Sequence, residues 1–170
     1  MPTPQEQALY ATFDRLGIGH RTLEHAAVFT VEQAQAETGH LPGGHCKTLF
    51  LKDKADTLWL LSCLDTTPVR LGRLEKVIGS KRLSFASPEL LREVLGVEPG
   101  SVTPFALLSD AARRVRPILD RAMLAVDPLN FHPLRNTATT TIATADLLRF
   151  LTALGYAPVE VDLATIAADA

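Results

Sequence analysis

Cys46 and Cys63 are the only cysteines in 170 residues, too few for the disulfide framework that staples small secreted domains. Neither belongs to a C-x-x-C pair, and no histidine lies at zinc-finger spacing, so a structural zinc site lacks ligands. No run approaches the ~18 consecutive apolar residues of a membrane-crossing helix. The start MPTPQEQ has neither a basic n-region nor an apolar stretch, which excludes a secretory signal there. A soluble, cytoplasmic protein is the expectation. A basic excess is also missing: the formal net charge is −2, unlike domains that coat nucleic acid, although a local patch for one end of an RNA remains compatible. There is no P-loop, G-x-G-x-x-G, H-E-x-x-H or G-x-S-x-G, so the common nucleotide, zinc-protease and serine-hydrolase signatures are absent.

What is present fits one globular domain over residues 1–170, because 46% hydrophobic residues suffice for a single core at this length. Thr3, Pro4 and Glu6 form a capping-box start, Leu9, Phe13 and Leu16 recur at helical spacing, and Gly17 ends the helix. A strand is expected over His20 to Leu23. Thr30 and Gln33 repeat the capping pattern before a helix that closes near Gly39. Cys46 to Lys52 and Thr57 to Cys63 read as a hairpin around the turn Asp53 to Asp56. Next come a helix at Leu71 to Ile78, a strand at Arg82 to Ala86 and a helix from Pro88 to Gly96. Phe105 to Leu108 and Val115 to Asp120 are expected as strands, with Pro117 requiring an edge or bulge. Asp127 to Asn136 reads as a loop, Thr137 to Ala143 as a strand, Thr144 as the cap of a final helix, and Val159 to Leu163 as the closing strand. Elements without regular β-α alternation predict an α+β domain: a mixed, mostly antiparallel, partly barrel-like sheet flanked by short helices.

Four places hold candidate chemistry. Lys47 enters an apolar strand on the face of Leu49 and Leu51. It suits a strand-end side chain reaching water as well as a cation at a pocket mouth. Gly100 to Pro104 is a stiffened loop whose glycine lets backbone approach a ligand, or else a plain connection. His132 sits in the polar stretch Asn130 to Asn136, as a general base, a water-orienting group or a solvated histidine. Arg70, Arg73, Lys76, Lys81 and Arg82, and separately Arg113, Arg114 and Arg116, form clusters for phosphates or ordinary solvated ends. Cys46 beside His45 makes a poor nucleophile pair, because neighbours on a strand point to opposite faces.

The stretches PGGHCKTLFLKDK, IGSKRLSFAS, LGVEPGSVTPFALL and DPLNFHPLRNTATTTI, in this order, resemble the prolyl-tRNA editing (YbaK/ProX-type) family. They are most similar to its free-standing alanyl-tRNA(Pro) deacylase branch. The resemblance implies an enzyme that hydrolyses the ester of mischarged tRNA(Pro), with Ala-tRNA(Pro) the expected substrate. It assigns the essential lysine to Lys47 and the substrate loop to Gly100, Ser101, Val102, Thr103 and Pro104. The histidine of its F-H-P segment falls on His132, with Asn136 close behind. Val28, Phe29 and Val31, with Leu49, are the expected pocket wall. Many members have asparagine where this chain has Thr48, which keeps deacylation of Ser-, Cys- or aminobutyryl-tRNA open. A non-catalytic tRNA-binding module is a further alternative. No metal or organic cofactor is implied. The expected partner is the acceptor end of mischarged tRNA; prolyl-tRNA synthetase is a second candidate, neither membrane nor DNA is expected, and a monomer is.

Overall fold

The computed structural model describes residues 2–168, apart from the side chains of Val31 and residues 167–168. In α1 (Pro4–Leu16) the Thr3 hydroxyl accepts from the Glu6 N–H at 3.1 Å, and Gly17 leaves the helix at φ +70°. After β1 (His20–Glu24) comes α2 (Val31–Thr38), capped by Thr30 through the Gln33 N–H. β2 (Gly44–Asp53) and β3 (Leu58–Leu64) form the expected antiparallel hairpin, with Lys47 opposite Cys63 and Thr48 opposite Ser62. α3 (Leu71–Ile78), β4 (Leu83–Phe85) and α4 (Pro88–Leu95) fall where the sequence puts them, within about a residue.

Phe105 to Leu108 is not the expected strand: it lies in a 3-10 helix, Pro104–Ser109. Pro104 presets a helical first turn and Thr103 caps the Phe105 N–H, which decides a short apolar run that periodicity leaves ambiguous. β5 (Val115–Asp120) follows, and then a helix the sequence does not announce, α5 (Arg121–Leu124). The stretch expected as a loop contains β6 (Leu129–Phe131), with all three residues buried. After β7 (Ala138–Ile142) comes α6 (Thr144–Ala153). Thr144 is the first residue of α6 rather than its cap. Its N–H is taken by the Asp127 carboxylate at 2.8 Å, and its hydroxyl donates to the Val126 carbonyl. β8 (Val159–Val161) and the unexpected α7 (Leu163–Ala168) complete the described residues.

The strands run β1-β7-β6-β2-β3-β5-β8, with β4 beside the far end of β2. The β1–β7, β7–β6, β2–β3 and β2–β4 pairs are antiparallel, and β6–β2, β3–β5 and β5–β8 are parallel. This is the mixed sheet of the expected α+β class. Pro117 lies where, among the described residues, β5 has only β3 beside it, since β8 pairs from Ile118 onward, the local edge a proline requires. β3 reads LWLLSCL without alternation because both faces are covered. Leu58 and Leu60 join a core with Leu9, Phe13, Phe105 and Phe150, whereas Trp59, Leu61 and Cys63 join a second core with Leu51, Leu74 and Ile118. Lys47, two and four residues before Leu49 and Leu51, stands at the end of that second core.

Candidate active site

β2 changes partners along one flank. Gly44 and His45 pair with β6 and Leu51–Asp53 pair with β4, so Cys46 to Leu49 have no strand on that side among the described residues. Beside this gap lies a cavity of about 220 Å³. Val28, Phe29, Ala34 and Thr38 form one wall, and His45, Cys46 and Lys47 form another. Asp65, Phe131, His132 and Thr139 close it, with Gly100 at the rim.

The wall at β2 is built by close approach. Gly43 has φ +90°, and a Cβ there would sit 2.0 Å from the Pro128 carbonyl oxygen. Asn130, almost wholly buried, donates to the Pro42 and Gly44 carbonyls at 2.9 and 3.1 Å and accepts from the Thr141 hydroxyl at 2.6 Å. Its amide therefore pins the glycine loop to β6. At the rim, Asn136 donates to the Val28 carbonyl at 3.2 Å and holds the segment that leads into α2. Gly100 has φ +88°, while its missing Cβ would meet only ordinary contacts with Asn136 and Phe29. Backbone conformation, rather than lack of room, calls for glycine at that position.

His132 is fixed by one nitrogen. Nδ1 lies 3.0 Å from the Ala138 carbonyl; a carbonyl only accepts, so Nδ1 carries the proton and Nε2 is left as an acceptor. Burial lowers the His132 pKa below the ordinary histidine value, and the neighbouring His25 lowers it further, against the Ala138 hydrogen bond. His25 is oriented in the same way: Nδ1 donates to the Ala26 carbonyl, and Nε2 accepts from the Thr139 hydroxyl at 2.8 Å.

Lys47 is half-buried and makes no ion pair or hydrogen bond among the described residues. Cys46, beside it, is no nucleophile. Burial pushes its thiol up to about 12, as it does for Cys63, so both remain protonated at neutral pH.

A second layer holds the His132 loop. Glu6, fully buried, receives two hydrogen bonds from Arg135, at 2.5 and 3.1 Å, and one from the Tyr10 hydroxyl at 2.6 Å. Arg135 also binds Glu24 and the Thr137 hydroxyl. The residue that reads as a capping-box glutamate is thus turned inward to tie α1 and β1 to residues 132–137.

Of the residues singled out in the sequence, Val28, Phe29, Lys47, Gly100 and His132 come together around the cavity. Thr48 does not line it: its hydroxyl meets Ser62 at 3.1 Å inside the sheet. Leu49 packs on the second core, which corrects its place in the expected wall. Ser101, Thr103 and Pro104 are buried behind the rim, and Val102 packs on the first core. The Val31 side chain lies outside the described residues. Ala34, Thr38, Asp65 and Thr139 carry no sequence signal for the site, and folding alone brings them there. Among the described residues no cluster of metal-ligating side chains forms, and no helix is long and apolar enough to cross a membrane.

The model of the aminoacyl-tRNA editing domain matches residues 25–150, from His25 through the cavity to α6. The chain belongs to the aminoacyl-tRNA editing domain family. It is 39% identical over 160 residues to prolyl-tRNA synthetase associated domain-containing protein 1 of Danio rerio, covering 93% of this chain and 87% of that one. It is 31% identical over 156 residues to the prolyl-tRNA editing protein ProX of Acetoanaerobium sticklandii, covering 91% and 95%. The fold also matches a solved candidate trans-editing enzyme for prolyl tRNA synthetase, with a TM-score of 0.72, 20% identity and coverage of 95% and 99%. All the cavity residues named above lie inside the matched editing domain.

Proposed function

We propose that this editing domain is a trans-acting deacylase that hydrolyses the ester of mischarged tRNA(Pro), with alanine the residue removed. The observation that carries the assignment is Lys47, an unpaired, half-buried cation at the edge of a small, mostly apolar cavity. A lysine without a protein partner in that setting awaits an anion. An aminoacyl-tRNA end supplies one as the terminal phosphate, or as the oxyanion that develops on the ester carbonyl. The prolyl-tRNA editing name of the bacterial relative supports the same substrate class.

The ester is already activated, so a positioned water, charge stabilisation and a proton acceptor suffice without a covalent nucleophile. In this scheme Lys47 stabilises charge or anchors the terminal nucleotide, and His132 Nε2 accepts a hydrogen bond from the water or a ribose hydroxyl. Val28, Phe29 and the Gly100 rim exclude proline by overlap. Such a second sieve is needed because a synthetase pocket that admits proline rejects a smaller residue by only about 1–3 kcal/mol. Asn136 and the Gly100–Pro104 loop position that rim, and Thr48 ties the strand bearing Lys47 to β3 through Ser62. Exposed Arg70, Arg73 and Lys76 surround α3, whose Leu74 packs on the same second core that Lys47 borders. They offer acceptor-stem phosphates a local basic face on a slightly acidic protein. By its name, the zebrafish relative favours prolyl-tRNA synthetase as a further partner.

The test is Lys47→Ala assayed on Ala-, Ser- and Pro-tRNA(Pro). Loss of roughly a hundredfold or more in kcat/KM for Ala-tRNA(Pro) is expected, the scale of removing one oxyanion-stabilising group. Undiminished turnover would remove Lys47 from the mechanism.

A further inference from the structure

We infer that Asp65 binds the α-ammonium group of the esterified amino acid, so that the site selects aminoacyl ends with a free amine. The proposal rests on the deacylase assignment above. Asp65 is the one carboxylate among the described residues that line the cavity. It follows β3 directly, and its N–H donates to the His45 carbonyl at 2.8 Å, which extends the β2–β3 ladder by one step. His45 and Asp65 are therefore cross-strand partners, as Lys47 and Cys63 are. Side chains two apart on a strand share a face, so Lys47 and Asp65 are diagonal neighbours, about 7–8 Å apart. They form no ion pair, and no hydrogen bond to the Asp65 carboxylate occurs among the described residues.

A small cavity thus carries one cation and one anion, set apart and both unpaired. That is the complement of an aminoacyl ester, which has an ammonium on one side of its carbonyl and a phosphate-bearing ribose on the other. Of the other polar side chains on the wall, His45 can be neutral or cationic but never anionic, and Thr38, Thr139 and Asn130 are already engaged. Thr38 donates to the Ala34 carbonyl, Thr139 to His25, and Asn130 to the glycine loop. Lys47 repels an ammonium, and His132 offers only a neutral nitrogen. Asp65 alone supplies a charge-assisted acceptor. Its field also reaches the wall, where it contributes to raising both cysteine thiols.

The experiment compares wild type and Asp65→Asn on Ala-tRNA(Pro) and on lactyl-tRNA(Pro), in which a hydroxyl replaces the ammonium. The quantity read is the ratio of kcat/KM for the two substrates, each first divided by its hydrolysis rate in buffer, because the ammonium itself activates the ester and partial unfolding lowers both alike. Wild type is expected to favour Ala-tRNA(Pro) by roughly 10- to 100-fold, the range of a hydrogen bond to a charged group. Asp65→Asn brings the ratio close to one, mainly by slowing Ala-tRNA(Pro). A ratio unchanged by Asp65→Asn overturns the assignment and leaves the deacylase intact. Failure of wild type to hydrolyse either substrate overturns the deacylase assignment and this one with it.

Discussion

Lys47, His132 and Cys46 illustrate how differently single residues declare themselves. Strand alternation alone places Lys47 on the face of Leu49 and Leu51, and the structure finds it there at the end of the second core. Cys46 looks reactive beside His45, yet burial holds its thiol near 12. Cys46→Ser should therefore leave kcat/KM within about threefold, and iodoacetamide at pH 8 should label the protein at least a hundredfold more slowly than free cysteine. Rapid labelling that abolishes activity would contradict the protonated thiol. His132 is held neutral below the ordinary histidine range. If Nε2 accepts a hydrogen bond during the reaction, kcat/KM falls as pH drops through that lowered value and the imidazole protonates. His132→Asn should be slower and lose this acid limb; an unchanged pH profile would argue against the role. Asp65, Ala34 and Thr38 were illegible in the sequence, since each reaches the cavity only through tertiary pairing of segments far apart in the chain.

Among the elements, those with local chemistry were readable. Thr3, Thr30 and Ser87 each cap a helix through a side-chain oxygen, and the hairpin follows from two apolar runs around a polar turn. The 3-10 helix and β6 depart from the sequence pattern for opposite reasons. The first is an apolar run too short for periodicity to classify; the second is a three-residue strand inside a polar, proline-containing stretch, paired to Gly44 and His45 from far upstream. The Gly43 loop joins these pieces. Gly43→Ala combines positive φ with a Cβ against the Pro128 carbonyl. It should cost about 3 kcal/mol or more, lowering Tm by roughly 6–12 °C for a domain of this size. A calorimetric Tm within a degree of wild type would show that the loop relaxes freely.

For the whole molecule, the α+β class followed from the order of elements, whereas the buried Glu6–Arg135 link did not. Its glutamate reads as a local cap, and its arginine as one more charge in a loop. Burial by itself would raise the Glu6 pKa, but the hydrogen bonds and charge of Arg135, with the Tyr10 hydroxyl, hold it below the usual carboxylate range. A carboxylate depressed in the folded state contributes stability that is fully present above its unfolded value, about 4.3. That contribution is lost as pH falls through the lower folded value. Glu6→Gln should thus destabilise the domain by about 1.5–3 kcal/mol at pH 7, since Arg135 loses its buried partner and keeps only Glu24 as a carboxylate. The deficit should shrink as denaturant titrations are repeated at decreasing pH below 4. A deficit independent of pH would mean that packing, rather than charge, is what Glu6 provides. Because the link ties α1 and β1 to residues 132–137, the same variant should also weaken deacylation.

The central claim is most directly tested by single-turnover hydrolysis of Ala-tRNA(Pro) and Pro-tRNA(Pro) with excess wild-type protein. The account predicts rapid release of alanine, well above the rate in buffer, with Pro-tRNA(Pro) left intact. Ala-tRNA(Pro) that is bound but survives as long as in buffer would contradict it and leave the domain a tRNA-binding module.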